Sequence, residues 1–356
     1  MQAVTVTPGE RDSLRILDIP DVQGSDGQVV VRVLQGGLCG TDAEITSGLY
    51  GEAPAGSRYL VLGHENLGVV ESAPAGSLSA GDLVVSTVRR PCPEACLPCQ
   101  SGENDMCLTG HYRERGIQAL HGFMSERYAE DPRYVVPVPA SLRGVAVLVE
   151  PMTVAQKALE QTFRIQGRMS WAPRQAVVLG AGPVGILAAA AMRIRGLEVT
   201  VVSREPEGST RDALLREAGI RYLSTTSAPI ADLPRRLGAI DIVLEATGAA
   251  AVIAPALGIL GRDGVCVLAS VTEVGRQGEI DLGAWNRQMV LGNRLVFGTV
   301  NAGRRHFEAA VRDLAVAEER RPGWMERLIN RRLPFTEAAR ALVRAPEDIK
   351  TVLDFG

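Results

Sequence analysis

A glycine-rich turn between a strand and a helix constrains the fold of this chain most. The segment QAVVLGAGPVGILAAAAMRIRGLEVTVVSREP reads as a buried strand, a turn, a helix and a second buried strand. Gly180 permits the tight turn, Gly182 lets the backbone approach a pyrophosphate, and Gly185 permits close packing of helix on strand. The helix N-terminus, with Pro183 and Val184, attracts phosphate charge. A structural turn could carry the same glycines, but the βαβ context favours a dinucleotide site.

The rest of the chain falls into two kinds of pattern. Up to about residue 150, short runs of Val and Leu are closed by Gly, Pro or Asp, which predicts a strand-rich, barrel-like domain. From about residue 153, strands and helices alternate, as in IDIVLEATG, VIAPALGIL and GVCVLASV, which predicts a parallel sheet with crossover helices. The tail has two helical stretches, HFEAAVRDLAVAEE and FTEAARALVRA, and ends in a short strand, IKTVLDF. We predict the α/β class.

Length and charge exclude several classes of protein. A chain of 356 residues is too long for one ordinary core and fits two domains. A formal net charge of −3 and scattered arginines give no basic surface for nucleic acid. The N-terminus lacks the features of a secretion signal, and the longest apolar stretch, near 184–191, is too short to cross a membrane. We therefore expect a cytoplasmic protein with no nucleic-acid or membrane partner.

The end of the strand after the glycine turn indicates which dinucleotide is bound. Enzymes that use NAD usually carry Asp or Glu there, which binds the ribose 2′-hydroxyl. This chain has Ser203 and Arg204, a hydroxyl and a guanidinium that suit a 2′-phosphate. Glu205 follows and could reach the ribose, which would allow NAD as well, and Arg204 could instead be a solvated loop charge. We predict that NADP is preferred.

Four cysteines in one short loop predict a structural zinc ion. Cys92, Cys96, Cys99 and Cys107 follow a C-x3-C-x2-C-x7-C spacing in a segment rich in Pro and Gly. Four thiolates from one segment can close a tetrahedral zinc site with no open position. Disulfides are the alternative, which a reducing cytosol disfavours. We expect a zinc lobe at about 89–110.

A second, sparser set of ligands predicts a zinc ion with an open position. Cys39 lies in GLCGTD, His64 and Glu65 lie in LGHENLG, and Glu150 lies in LVEP. One thiolate, one imidazole and one or two carboxylates can bind zinc and leave room for a substrate oxygen. Singly, Cys39 could be a core thiol and His64 a turn histidine, but their combination with a dinucleotide fold favours catalysis. Thr41 lies two residues after Cys39, so in an extended segment both side chains would face the same side and the hydroxyl could take the substrate proton.

The order of these motifs resembles one enzyme superfamily. GLCGTD, GHE, the four-cysteine loop, LVEP and GAGPVG together are similar to the zinc-containing medium-chain dehydrogenase/reductase superfamily. Within it, RRPCPEACLPCQSGENDMCLTGHYRERGI, HGFMSERY, VLVEP and NRLVFGTVNAGRRHF resemble the glucose 1-dehydrogenase family. The resemblance implies a GroES-like β-rich catalytic domain at 1–155 and 305–356, a Rossmann doubly wound parallel sheet domain at 156–304, and an active site in the cleft between them. By analogy it also implies a homodimer or homotetramer.

The same resemblance assigns roles to the ligand set. It implies that Cys39 and His64 bind the catalytic zinc directly, and that Glu65 and Glu150 complete the shell directly or through water. Thr41 and Glu150 would also contact the substrate, and Thr41 would pass its proton to solvent.

It further assigns residues to the sugar and the cofactor. Glu114, in YRERGI, matches a position that contacts sugar hydroxyls, and Asn301, in TVNAG, matches one near both sugar and nicotinamide. A surface or helix-cap role is the alternative for each. Ser270 and Val271 follow the strand GVCVLA, where backbone groups hold the nicotinamide amide, and Thr299 precedes Asn301 in the same cofactor region.

The predicted reaction is the zinc-dependent oxidation of a sugar hydroxyl by NADP, in first place from aldose to lactone. Another polyol, a cyclitol or a sugar-bearing biosynthetic intermediate would suit the same machinery. A non-catalytic binding module with this fold would be expected to lack the ligands, yet all of them are present. Zinc-free reductases of the superfamily lack both metal sets, so they too are disfavoured.

Overall fold

The computed structural model describes residues 1–272, 276 and 278–356. They separate into two compact units, the first formed by Met1–Thr153 and Asn301–Gly356 and the second by Val154–Val300. Within this described part of the chain, every helix is too short or too polar to span a membrane.

Strands dominate the first unit and alternate with helices in the second. The strands are β1 (Gln2–Val6), β2 (Arg15–Asp18), β3 (Val29–Leu38), β4 (Leu60–Val61), β5 (Glu65–Ser72), β6 (Leu83–Ser86), β7 (Arg89–Arg90), β8 (Arg113–Arg115), β9 (Ala119–Leu120), β10 (Arg127–Glu130), β11 (Val135–Pro137), β12 (Gln175–Leu179), β13 (Glu198–Ser203), β14 (Arg221–Ser224), β15 (Ile242–Glu245), β16 (Val265–Leu268), β17 (Leu295–Gly298), β18 (Arg331–Pro334) and β19 (Thr351–Asp354). The helices are α1 (Gly40–Thr46), α2 (Leu97–Gln100), α3 (Val149–Gln166), α4 (Pro183–Ile194), α5 (Thr210–Glu217), α6 (Leu233–Leu237), α7 (Ala250–Gly258), α8 (Leu282–Gly292), α9 (Arg304–Arg320) and α10 (Ala338–Leu342).

The long strand β3 organises the first unit. It lies in a sheet of order β11-β6-β5-β3-β19-β18, and β10 also pairs with it. Because side chains alternate along a strand, Val29, Val31 and Val33 share one face and join a buried cluster with Phe123 and Tyr128. The tail strand β19 pairs antiparallel with β3, so the end of the chain is part of the same sheet.

A buried ion-pair network connects the small sheet β7-β8-β9 to this main sheet. Glu130 on β10 forms ion pairs with Arg90 on β7 and with Arg115 on β8. Arg115 also donates hydrogen bonds to the carbonyl oxygens of His121 (3.0 Å) and Ala129 (2.8 Å). Burial alone would raise the pKa of Glu130, but the two guanidiniums together outweigh it and lower that pKa. The carboxylate is therefore held charged inside the protein.

The second unit is a parallel six-stranded sheet of order β14-β13-β12-β15-β16-β17. This is the order of doubly wound dinucleotide-binding sheets, in which ligands lie beyond the carboxyl ends of the strands. Its central strands are buried on both faces, as their continuous Val, Leu and Ile runs predict. The helix α4 follows β12 directly and is buried from Gly185 to Met192.

The first part of the chain is strand-rich as expected, and α1 is a short helix within it. A local expectation near the end of the chain was wrong. The predicted helix FTEAARALVRA is reduced to a 3₁₀ turn and the short α10, which ends at Leu342. Val343 is extended, with ψ 104°, and Pro346 follows, which lacks the backbone donor that a longer helix needs.

Candidate active site

Three potential zinc ligands from distant parts of the sequence meet in the first unit. The ligand atoms of Cys39, His64 and Glu65 all lie within 4.8 Å of one another. Cys39 Sγ is 3.0 Å from His64 Nε2. His64 and Glu65 are buried, and Cys39 is half-buried. The structure therefore brings together three of the four residues that were predicted to form the catalytic zinc site.

The start of α1 fixes the position of the Cys39 thiol. Cys39 is the N-cap residue, and its Sγ accepts a hydrogen bond from the Thr41 amide at 3.3 Å. In return, the Asp42 carboxylate accepts a hydrogen bond from the Cys39 amide at 2.9 Å, which completes a capping box. The expectation that Cys39 and Thr41 lie in an extended segment was therefore wrong, because this capping box begins a helix at Gly40. Thr41 lies in the first turn of that helix and is half-buried.

Asp42 also faces the far side of the His64 ring. Its Oδ1 lies 3.6 Å from His64 Nδ1, beyond hydrogen-bond distance, and neither atom has a hydrogen-bond partner in the described structure. A carboxylate on one ring nitrogen commonly orients a histidine whose other nitrogen binds a metal. Burial lowers the pKa of His64, but the charges of Cys39 and Asp42 outweigh this and raise it well above its ordinary value. Sequence reasoning missed Asp42, although its position three residues after Cys39 is typical of a capping box.

Lys350, immediately before the tail strand β19, neutralises Glu65. Its Nζ forms an ion pair with Glu65 Oε2 and donates a hydrogen bond to the Leu38 carbonyl at 2.9 Å. Gly37 lies opposite Glu65 across β3 and β5, where an added Cβ would come within 2.0 Å of Glu65 Oε2. Lys350 was missed at the sequence level. The available signal was that it is one of only two lysines in a chain whose other basic residues are arginine.

Glu150 interacts electrostatically with His64 and Glu65, but it is not one of the three residues whose ligand atoms lie within 4.8 Å of one another. It is half-buried near the start of α3, and removal from water raises its pKa to about 7. The positive charge of His64 lowers that pKa and the negative charge of Glu65 raises it. Such a concentration of buried acids and a thiol would be stabilised by a divalent cation. The donor set, with His64 Nε2 and Cys39 Sγ 3.0 Å apart, therefore fits a zinc ion that keeps an open position.

The four-cysteine loop forms a second cluster in the first unit. The Sγ atoms of Cys92, Cys96, Cys99 and Cys107 lie within 4.8 Å of one another. All are free thiols, and those of Cys96 and Cys107 are 3.9 Å apart, so they are not disulfide-bonded. Burial opposes the change, but hydrogen bonds from Thr109 and neighbouring amides lower the pKa of Cys107 to about 6. Four sulfurs around one point fit a structural zinc ion.

Glu114 and Asn301, far apart in sequence, are joined by a hydrogen bond. Asn301 Nδ2 donates to Glu114 Oε1 at 2.8 Å, and Asn301 itself has a left-handed backbone, with φ +58°. Arg89 Nε donates a hydrogen bond to the same oxygen at 2.9 Å, and Arg89 Nη2 forms an ion pair with it at 2.9 Å. Its guanidinium lies 3.6 Å above the centre of the Tyr112 ring. Because these contacts all use Oε1, Glu114 Oε2 can accept a hydrogen bond from a further donor, such as a sugar hydroxyl. Sequence reasoning did not assign Arg89 a role.

In the second unit, the glycine turn has the geometry that a dinucleotide needs. Gly180 has φ +112°, and a Cβ at Gly185 would lie only 2.1 Å from the Gly180 carbonyl oxygen. Gly182 is the N-cap residue of α4, and a Cβ there would meet nothing within 4 Å. Pro183 and Val184 form the first turn of α4. Close packing therefore explains two of the glycines, whereas the open space at Gly182 fits a pyrophosphate.

The remaining predicted cofactor residues follow the carboxyl ends of the parallel strands. Ser203 ends β13 and is half-buried, and Arg204 is exposed. Ser270 and Val271 follow β16, and Thr299 follows β17. The Thr299 amide donates to the Leu268 carbonyl at 3.0 Å, while its buried hydroxyl has no partner in the described structure.

Comparisons with known proteins agree with both units. Residues 25–140 match the family model "Alcohol dehydrogenase GroES-like domain", and residues 143–355 match "Glucose dehydrogenase C-terminus". The chain is 42% identical over 358 residues to a glucose 1-dehydrogenase of Methanocella arvoryzae, covering 100% of both chains. It is 43% identical over 357 residues to one of Thermoproteus tenax, covering 99% of each. The structure of Haloferax mediterranei glucose dehydrogenase in complex with NADP, Zn and gluconolactone superposes with a TM-score of 0.92 at 33% identity, covering 100% of this chain and 99% of that one.

Proposed function

This chain belongs to the glucose 1-dehydrogenase family of the zinc-containing medium-chain dehydrogenases, and on that premise we propose that it oxidises the C1 hydroxyl of an aldose to a lactone with NADP. The observation that carries the proposal is the buried cluster of Cys39, His64 and Glu65. A thiolate, an imidazole and a carboxylate on one side of an ion are the ligands of a catalytic rather than a closed zinc site.

The three residues of this cluster would hold the catalytic zinc, with Glu150 completing the shell directly or through water. When bound, zinc acts as a Lewis acid that lowers the pKa of the substrate hydroxyl. Asp42 places a negative charge 3.6 Å from the far nitrogen of the His64 ring, and Lys350 balances the charge of Glu65. The second, four-cysteine cluster would hold a structural zinc that ties down the loop 89–110.

Three side chains of the first unit would handle the sugar. Thr41, in the first turn of α1, would accept the proton of the C1 hydroxyl and pass it towards solvent. Glu114 and Asn301 would hydrogen-bond other hydroxyls of the sugar. The hydrogen bond between the two side chains, at 2.8 Å, would fix their positions relative to each other. Unpaired polar groups in such a pocket are costly, so the two residues also select a polyhydroxylated substrate.

The second unit would bind NADP, and its nicotinamide C4 would receive the hydride that leaves the sugar carbon. Gly180, Gly182 and Gly185 would let the turn approach the pyrophosphate, and Ser203 with Arg204 would bind the 2′-phosphate. The other residues that we propose for the cofactor are Pro183, Val184, Ser270, Val271, Thr299 and Asn301.

Steady-state reduction of NADP with purified protein tests the proposed activity. We expect turnover with aldoses and a lactone product, and little turnover with polyols or cyclitols. Activity confined to a cyclitol or to a sugar-bearing intermediate would contradict the aldose assignment.

We expect Cys39→Ala to lose about one zinc per chain and nearly all activity. Cys266→Ala is the matched control, because Cys266 is a buried core thiol on β16 and should keep both. A Cys39→Ala protein as active as Cys266→Ala would refute the catalytic zinc.

A homodimer or homotetramer is also part of the proposal. β17 is the edge strand of the six-stranded sheet, and its residues Leu295, Val296 and Phe297 are only half-buried. Val290 on α8 and Val300 after β17 are exposed apolar residues of the same unit, at 65% and 58%. An open strand edge beside apolar surface favours pairing with a second copy. Light scattering with size-exclusion chromatography should give a mass of two or four chains, and a monomer would contradict this.

We also propose a cytoplasmic location, because the reducing cytoplasm keeps zinc-binding thiols reduced.

A further inference from the structure

The acidic residue next to the proposed 2′-phosphate site is already paired. Glu205 Oε1 forms an ion pair with Arg211, which lies in the first turn of α5. The Arg211 side chain is 10% exposed and that of Glu205 is 35% exposed. Arg211 therefore approaches Glu205 from the protein side.

The backbone around this pair is fixed by other hydrogen bonds. The hydroxyl of the buried Tyr222 donates to the Glu205 carbonyl at 2.8 Å. Asp212 Oδ2 accepts from the Gly208 amide at 2.7 Å, and Asp212 Oδ1 pairs with Arg216. Asp212 is thus engaged elsewhere, and Glu207 accepts a hydrogen bond from Ser227 Oγ at 2.8 Å. Of the acids in this turn, Glu205 is the one that Arg211 contacts in an ion pair.

This pairing changes the net charge at the end of β13. An unpaired Glu205 would repel a phosphate and offer the ribose 2′-hydroxyl the acceptor that NAD enzymes provide. With Arg211 in contact, the two charges nearly cancel. Arg204 is exposed and forms no ion pair with any residue in the described ranges, so its positive charge stays available to a phosphate at this strand end.

Resting on the proposed NADP-dependent function, we propose that Arg211 is a specificity-determining residue that neutralises Glu205 and so makes this site select a 2′-phosphate. Arg211 acts through Glu205 rather than on the cofactor. Replacing Arg211 with a neutral residue therefore weakens NADP binding only while Glu205 carries its negative charge.

Equilibrium binding of whole cofactors and fragments to four proteins tests this. The proteins are the wild type, Arg211→Met, Glu205→Gln and the double variant. The probes for calorimetry are NADP and adenosine 2′,5′-bisphosphate, with NAD and 5′-AMP as their matched controls without the 2′-phosphate. Thermal denaturation of each protein reports on folding, and Arg211→Gln replaces Arg211→Met if the latter does not fold.

We expect Arg211→Met to raise the Kd for NADP and adenosine 2′,5′-bisphosphate at least tenfold, while the Kd for NAD stays within threefold or falls. Glu205→Gln and the double variant should bind both 2′-phosphate probes within threefold of the wild type. A double variant as weak as Arg211→Met would overturn the inference, because Arg211 would then act on the phosphate or on the loop itself. An equal loss for NADP and NAD would overturn it too. A wild type that binds neither 2′-phosphate probe would instead refute the proposed cofactor.

Discussion

The change Arg89→Met tests whether a buried arginine holds the sugar-binding carboxylate. In the wild type, Glu114 Oε1 accepts one hydrogen bond from Arg89 and one from Asn301, and it also forms an ion pair with the Arg89 guanidinium. Without Arg89, a carboxylate that is 5% exposed keeps only the neutral amide donor. Removing one partner of a buried pair costs about 3–5 kcal/mol, because the other charge is left uncompensated.

The size of this effect can be compared with an exposed pair in the same unit. About 3–5 kcal/mol corresponds to a fall in Tm of about 6–20 °C for a cooperative unit of about 200 residues. Arg127 and Glu71 also form an ion pair, but their side chains are 38% and 32% exposed. Arg127→Met should therefore cost about 1 kcal/mol or less.

Calorimetry and steady-state kinetics provide the two readouts. We expect Arg89→Met to lower Tm far more than Arg127→Met, and to raise the KM for the sugar at least tenfold with little change in the KM for NADP. The double change Arg89→Met with Glu114→Gln should recover most of the stability, since no charge is left unpaired, but not the sugar KM. If Arg89→Met and Arg127→Met lower Tm equally, or if the sugar KM is unchanged, the role assigned to Arg89 is wrong.

Three further predictions concern the rest of the described structure. Glu130→Gln should lower Tm at pH 7 and make Tm depend less on pH in the acid range. The pKa of Glu130 is lowered in the folded protein, so its charge stabilises the fold above the ordinary glutamate pKa, and this stabilisation is lost as pH falls through the pKa of the folded state. Equal acid dependence of Tm in both proteins would contradict this. Cys99→Ser should release about one zinc per chain, measured by plasma mass spectrometry, and lower Tm, whereas unchanged zinc content would refute the structural site. Gly185→Ala should abolish NADP binding in calorimetry, because its Cβ would lie 2.1 Å from the Gly180 carbonyl oxygen, and wild-type affinity would refute this.

Local patterns predicted much of this protein, and long-range pairing explains what they missed. The glycine turn, the alternation after about residue 153 and the motif order predicted the α/β class, the GroES-like and Rossmann parts and the family, all of which are confirmed. Lys350 meets Glu65 only because β19 and β5 both pair with β3, and no local spacing reports that. The error at Thr41 has the opposite origin, since a local capping box of four residues, from Cys39 to Asp42, begins a helix where an extended segment was expected.

The partners of the predicted residues were the hardest part to foresee. Asp42, Arg89 and Lys350 each act on another side chain, so their roles appear only once the fold brings the two together.

Both lysines of the sequence are withdrawn from solvent. Lys157 and Lys350 are 1% and 0% exposed, and their Nζ atoms donate to the carbonyls of Val300 and Leu38, each at 2.9 Å. Reducing sugars damage proteins by condensing with accessible neutral amines to form Schiff bases. The guanidinium groups that replace lysine on the surface stay protonated. A dehydrogenase that acts on an aldose thus exposes no lysine amine to glycation by its own substrate.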